Sequence, residues 1–320
     1  MKAIVYTRYG SPDVLALKEV EKPTPGDNEV LIKTHAVSVN SSDWEFLSGR
    51  PLYVRMWGLF KPRNPILGSD IAGKIDAVGK NVTRFQKGDA VFGDIFICRG
   101  GFGEYVCAPE SSLTMKPAHM TFKVAAALPQ AASIALQGLC DKGHIQSGQK
   151  VLINGAGGGA GSFAVQIAKS FGAEVTGVDH GDKRDMLFRI GADHVIDYRQ
   201  EDFTGNGQRY DLILDFVGSH SIFDYRRALS PAGIYVMVGG SIVHIVQTLL
   251  FGSWFSMTGA RKMVILAAKP NKDMAFIIDL IESGKITPVI DKCYPLAETA
   301  KALHCLGKGQ AQGKIVVTME

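Results

Sequence analysis

A chain of 320 residues, 46% hydrophobic and 21% charged, is long enough for about two globular domains with substantial cores, which excludes a disordered or fibrous protein. Its net charge of +4 comes from lysines and arginines scattered among acids, so nucleic-acid binding has no support. The five cysteines, Cys98, Cys107, Cys140, Cys293 and Cys305, are odd in number and lack a C-x-x-C pair. That argues against a disulfide framework or a thiolate zinc knuckle and for a reducing, cytoplasmic setting.

The N-terminus, from Met1 to Tyr6, runs directly into a strand pattern, with no basic region before a long apolar stretch, so no signal or transit peptide is expected. Short strands follow at residues 2–7, 15–20, 30–38, 72–78, 90–97 and 104–108, separated by turn residues such as Pro23-Thr24-Pro25-Gly26-Asp27 and Lys87-Gly88-Asp89. This β-rich part, ending near residue 122, predicts a partly closed barrel. Residues 41–60 break the pattern, because Trp44, Phe46, Tyr53, Trp57 and Phe60 crowd together without clean alternation. Such a cluster is core or, beside a cofactor, the wall of a substrate pocket.

From residue 123 the period changes. Residues 124–128 and 131–139 read as helix, and strands at 150–154, 174–178, 194–197, 212–216 and 234–238 then alternate with helices at 162–171, 184–190 and 222–229. Short connections of this kind imply right-handed βαβ units and a parallel sheet, with any ligand beyond the C-terminal strand ends. At that place lies Asn154-Gly155-Ala156-Gly157-Gly158-Gly159-Ala160-Gly161, a glycine turn between a strand and a helix. Gly155, Gly158 and Gly161 fall three apart, tighter than G-x-G-x-x-G. For a pyrophosphate the first permits the turn, the second the approach of backbone N–H groups, and the third close helix-to-strand packing. A flexible loop is the bland alternative, and the surrounding alternation disfavours it.

Residues 241–258 form the most hydrophobic window; His244 and Gln247 interrupt it, so a membrane span is not favoured, while a surface-active lip stays open. A strand at 261–266, helices at 273–283 and 297–306, and a last strand at 314–318 close the chain. The end resembles the first part more than the middle. The expected domains are therefore 1–122 with 268–320, and an inserted 123–267.

Several separated motifs together resemble the medium-chain dehydrogenase/reductase superfamily, in its zinc-free quinone oxidoreductase branch. They are Val39-Asn40-Ser41-Ser42-Asp43, Ile66-Leu67-Gly68-Ser69-Asp70-Ile71-Ala72-Gly73, Lys87-Gly88-Asp89-Ala90-Val91, Gly101-Phe102-Gly103-Glu104-Tyr105, Ala126-Ala127-Leu128-Pro129, the glycine turn, Gly191-Ala192-Asp193-His194-Val195-Ile196-Asp197-Tyr198, and Gly313-Lys314-Ile315-Val316-Val317. The resemblance implies an α/β fold made of a GroES-like β-rich catalytic domain and a Rossmann doubly wound domain, with hydride transfer in the cleft between them. Zinc-dependent relatives carry a cysteine near residues 40–43, a His-Glu pair where Ser69-Asp70 stands, and a four-cysteine lobe where only Cys98 is found. No metal is therefore expected.

The same resemblance assigns catalytic contacts to Asn40 and, less directly, to Tyr53, whose register is shifted by Pro51 and an insertion; Asp43 reads as structural. It places the cofactor on Gly155, Ala156, Gly158, Gly159, Ala160 and Gly161, with Ser133, Val217, Gly239, Gly240 and Lys314 beside it. Asp179 stands where a carboxylate would chelate ribose hydroxyls and repel a 2′-phosphate, an NAD(H) feature, whereas Lys183 and Tyr198 match positions that bind that phosphate. NADP(H) is slightly preferred and NAD(H) stays open.

The expected activity is hydride transfer from NAD(P)H to a small quinone, enone or similar electrophilic carbonyl, whose developing negative charge is delocalised and needs less Lewis-acid help. A nucleotide-binding regulatory or membrane-peripheral protein and an alcohol/aldehyde dehydrogenase are the alternatives. The resemblance also implies a homodimer, because the strand at 261–266 stands where family members extend one sheet across subunits.

Overall fold

The computed structural model describes residues 1–258 and 260–319. The chain opens with β1 (Lys2–Val5), β2 (Ala16–Glu19), β3 (Glu29–Val39), α1 (Ser41–Ser48), β4 (Asp70–Val78), β5 (Ala90–Asp94), β6 (Tyr105–Pro109), β7 (Thr114–Met115), α2 (Phe122–Ala126) and α3 (Pro129–Leu136). It continues through β8 (Lys150–Asn154), α4 (Gly159–Ser170), β9 (Glu174–Asp179), α5 (Arg184–Arg189), β10 (His194–Asp197), β11 (Tyr210–Asp215), α6 (Ile222–Ala228), β12 (Leu229–Met237), α7 (Ile242–Thr258) and β13 (Lys262–Ile265). The last elements are α8 (Met274–Glu282), β14 (Ile290–Pro295), α9 (Thr299–Gly307) and β15 (Lys314–Thr318).

Two compact units result. One holds Met1–Gln130, Pro270–Met274 and the chain from Ile290 onward; the other holds Ala131–Lys269 and Ala275–Val289. The division differs from the expected one at two places. The short helix α2 packs on β3 and β4 of the first unit, with Ala125 and Ala126 fully buried. The helix α8 buries Ile277 and Leu280, and the Gln166 amide on α4 donates to the Thr287 carbonyl (3.0 Å) and accepts from its N–H (2.8 Å), which ties residues 275–289 to the second unit. Periodicity shows that such a helix is amphipathic, but not which core receives it.

The first unit is built on a seven-stranded sheet in the order β14-β15-β3-β4-β5-β7, with β6 also on β3. Strand β3 is long because it serves two partners: residues 36–39 pair with β15 and residues 29–33 with β6, and its pairing with β4 is bulged between Thr34 and Ala36. Residues 41–60, expected without regular structure, contain α1. Asn40 precedes it in extended backbone, the Asp43 carboxylate accepts the Asn40 N–H (2.9 Å), and Gly49 ends it at φ 65°. The aromatic cluster is core only in part: Phe46 is buried, whereas Tyr53, Trp57 and Phe60 are exposed.

The second unit holds a six-stranded sheet in the order β10-β9-β8-β11-β12-β13, parallel throughout. This is the doubly wound order with its switch point between β8 and β11, where the chain crosses from one half to the other. Helix α4, opened by the glycine turn, has every residue from Gly161 to Ala168 buried, as a helix covering a parallel sheet requires. Within the hydrophobic window, residues 242–258 form the single helix α7. Its Phe255 joins the core, while Ile242, Val243, Val246, Leu249 and Leu250 stay exposed. Among the described residues no helix is long and apolar enough to cross a membrane.

Candidate functional site

In the second unit the turn after β8 is shaped by glycines that admit no side chain. Gly155 has φ 84°, and a Cβ on Gly161 would stand 2.1 Å from the Gly155 carbonyl oxygen and 2.7 Å from Ala156 Cα. The helix can therefore approach the strand only with glycine there. Helix α4 starts at Gly159 with no side-chain cap, so the N–H groups of Gly159, Ala160 and Gly161 point out of its positive end. Ala156 is fully buried beneath the turn, and Gly158 supplies its extended N-cap backbone. These N–H groups fit an anionic pyrophosphate.

Two neighbouring turns, after β11 and β12, lie beside the glycine turn. The Val217 side chain lies against Gly155, at 3.0 Å from a Cβ built there, and a Cβ on Gly218 would meet Gly240 Cα at 2.7 Å and the Gly239 oxygen at 3.0 Å. Val217, Gly218, Gly239 and Gly240 are thus brought to the glycine turn. The residue that fixes them is Asp215, which sequence reasoning missed. Fully buried at the end of β11, its Oδ1 accepts the N–H groups of Val217 and Gly218 (both 3.0 Å) and the Asn154 amide (2.8 Å). Its Oδ2 accepts the Tyr235 hydroxyl (2.8 Å). An acid ending an apolar strand is the signal that could have found it.

The opposing pair Asp179 and Lys183 proves to be one unit. Lys183 Nζ lies 3.0 Å from Asp179 Oδ1, both side chains being 10% exposed. Asp179 Oδ2 accepts the Gly157 N–H at 2.7 Å, and Oδ1 accepts the His180 N–H at 2.8 Å. The lysine charge is set against the carboxylate that was expected to oppose it. Tyr198 is exposed, its ring 6.3 Å from that of His180. Beside them a hollow of about 430 Å³ is lined by His180, Arg184 and Arg199 against Asp182 and Asp197. Ser133 is buried on α3, where its Oγ accepts the Gln137 amide (2.8 Å); that amide also donates to the Lys269 carbonyl (3.0 Å).

In the first unit Asn40 and Lys314 meet. Lys314 Nζ donates to Asn40 Oδ1 at 2.6 Å and lies 3.8 Å from Asp70 Oδ2, with Asn40 6%, Lys314 2% and Asp70 0% exposed. An ammonium has only donors, so the atom facing it is the amide oxygen. The Asn40 Nδ2 then makes no hydrogen bond of good geometry among the described residues, although its amide lies near enough to the Asp70 carboxyl to pull it down. Burial pushes the Asp70 carboxyl up and the Lys314 ammonium down, each opposed by the other's charge. Asp70 also accepts the Gln130 N–H (3.1 Å). Asp43 accepts the N–H groups of Asn40 and Gly68 (both 2.9 Å); burial pushes its carboxyl up to about 6 against the pull of these donors. Lys314, expected at the cofactor, is thus engaged with Asn40. Tyr53 lies on an exposed turn, where partial burial and then the Glu45 carboxylate push its hydroxyl above the usual tyrosine range.

Among the described residues no group of three His, Cys, Asp or Glu side chains is placed to hold a metal. At positions 40, 69 and 70 the donors are an amide, the Ser69 hydroxyl and a carboxylate paired with an ammonium, a set poor for zinc.

A GroES-like β unit and a doubly wound sheet carrying an anion-binding glycine turn define a two-domain oxidoreductase. Residues 26–118 match the family described as alcohol dehydrogenase GroES-like domain, and residues 190–317 the one described as zinc-binding dehydrogenase. A 2-methylene-furan-3-one reductase of Solanum lycopersicum is 33% identical over 99% of this chain and 79% of its own length. The structure of the quinone oxidoreductase from Coxiella burnetii is similar with a TM-score of 0.90 at 28% identity, covering 100% of this chain and 99% of that one. A mycobacterial protein solved in complex with NADPH has a TM-score of 0.84 at 26% identity, covering 99% of this chain and 100% of that one. The chain belongs to the medium-chain dehydrogenase/reductase superfamily, in its zinc-free quinone oxidoreductase branch, and is an oxidoreductase.

Proposed function

We propose that this protein reduces a quinone, an enone or a similar electrophilic carbonyl with NADPH, in preference to NADH, and without zinc. The observation that carries the reading is the Lys314 ammonium bonded to Asn40 and paired with Asp70. It is a fixed protein cation among the residues that stand at the zinc-ligand positions of metal-dependent relatives. The glycine turn and the N-terminus of α4 would hold the pyrophosphate, and Val217, Gly239 and Gly240 would line the rest of the cofactor. A bound nicotinamide supplies the hydride. Asn40, its oxygen taken by Lys314, offers Nδ2 as a hydrogen-bond donor to the oxygen on which charge develops.

The preference for NADPH is supported by the Asp179–Lys183 pair. With its charge balanced by Lys183, Asp179 repels a 2′-phosphate less, and the ammonium keeps two N–H donors beyond its bond to Asp179. Arg184 and Arg199 line the adjoining hollow with guanidinium donors, their charge offset by Asp182 and Asp197. Lys183→Ala is expected to weaken NADPH on the order of tenfold while leaving NADH unchanged. Asp179→Asn keeps an acceptor for Gly157 and should shift the preference further to NADPH. Equal losses for both cofactors in a binding titration of Lys183→Ala would contradict the assignment.

NADPH oxidation measured against a panel of quinones and enones in the presence of a chelator tests the whole reading. Turnover that survives chelation is expected. Cofactor binding without turnover on any member would favour a nucleotide-binding regulator, and turnover restored only by zinc an alcohol or aldehyde dehydrogenase. We also propose a homodimer, because β13 is an edge of the six-stranded sheet, and a cytoplasmic setting for a chain with free cysteines. A single-chain mass by light scattering would overturn the dimer.

A further inference from the structure

Between Glu45 and Asp70 the chain carries Arg50, Arg55, Lys61 and Arg63 and no acid. Within the same stretch Phe60 is 88% exposed, Met56 82%, Leu52 69% and Leu59 65%, with Tyr53 and Trp57 also exposed. Isolated exposed apolar residues are ordinary, but six within nine positions form a patch. The segment is held from below rather than frayed. Val54 is buried, the Tyr9 hydroxyl donates to the Gly58 carbonyl, and Arg55 donates to the Gly49 carbonyl (3.1 Å) above the Tyr9 ring. The Trp57 ring meets buried Phe46 edge-on at 5.8 Å, and the Asn64 amide reaches the Cys98 carbonyl (3.2 Å), next to Ile97, itself 84% exposed. The turn is therefore fixed with its apolar side chains outward. Arg50, Lys61 and Arg63 have no carboxylate partner among the described residues.

We propose that residues 50–63 are a docking surface for an anionic lipid bilayer. Exposed aromatic and aliphatic side chains beside unpaired cations match the boundary between acyl chains and phosphate headgroups, where the rings and aliphatic chains leave water and the cations meet phosphate. Charge selects this occupant over a second copy of the chain, because a two-fold contact would set Arg50, Lys61 and Arg63 against themselves. The attachment is peripheral, and it does not depend on the reaction proposed above.

Flotation of the purified full chain with phosphatidylcholine vesicles, with and without phosphatidylglycerol, tests the surface. The protein should float with the anionic vesicles and be released by salt. Met56→Ser/Leu59→Ser and Lys61→Glu/Arg63→Glu should each lose at least about tenfold in vesicle affinity while keeping the wild-type melting temperature, since all four side chains are exposed. Absence of binding to anionic vesicles, or equal binding by both variants and the wild type, would overturn the proposal. So would a dimer in light scattering that Met56→Ser/Leu59→Ser dissociates without any vesicle binding, which would make a second copy the occupant.

Discussion

Gly161→Ala should all but abolish cofactor capture, with affinity for NADPH falling on the order of a hundredfold or more in a fluorescence titration. One methyl group has this effect because it would stand 2.1 Å from the Gly155 carbonyl oxygen and 2.8 Å from the Ala156 carbonyl carbon, both backbone atoms that no rotamer change can move. Helix α4 must then slide away from β8, which takes the N–H groups of Gly159 and Ala160 off the pyrophosphate. Packing against the sheet also suffers, by about 1–3 kcal/mol for a misfitted core group. Gly157→Ala is the informative contrast. Its Cβ would meet the Lys183 side chain at 2.4 Å, which can swing aside, so it should disturb the Asp179–Lys183 pair and cofactor preference more than overall affinity. Unchanged NADPH affinity in Gly161→Ala would remove the turn from the binding site.

Asn40→Ala should lower kcat by about a hundredfold, the usual loss for one donor to a developing oxyanion, with NADPH affinity preserved. Because the alanine variant also strips Lys314 of its 2.6 Å partner, its effect alone could be structural. Asn40→Asp separates the two: it keeps an oxygen for the ammonium and removes the N–H donor. A folded Asn40→Asp with the same loss of kcat is the expected result, and wild-type turnover in that variant would contradict a donor role for Nδ2.

The parts of this architecture that local pattern encodes were legible from the residues alone. Alternating strands and helices from Lys150 to Met237 identified the parallel sheet, and the glycine turn marked its ligand end, because a strand-to-helix turn that tight needs glycine. The capping residues of α1 were also readable, but the aromatic crowding of residues 41–60 masked them. What was not legible depends on residues distant in sequence. Asp215 is explained by Asn154, Tyr235 and the turn at Val217 and Gly218, and Lys314 by Asp70 and by Asn40, the latter 274 positions away. Helix α8 looked amphipathic wherever it packed. The pairing of Asp179 with Lys183 was not legible either, because Asp179 ends β9 and Lys183 lies in the turn beyond it, where the i,i+4 rule of helices does not apply.

If hydride passes from NADPH to an electron-poor carbon of a conjugated carbonyl, a label on the cofactor follows it into the product. With NADPH carrying deuterium on the transferred position and an enone as acceptor, one deuterium should appear on the β-carbon of the saturated ketone, and the new α-hydrogen should come from solvent. Deuterium on the carbonyl carbon of an alcohol product, or none in any product, would contradict it.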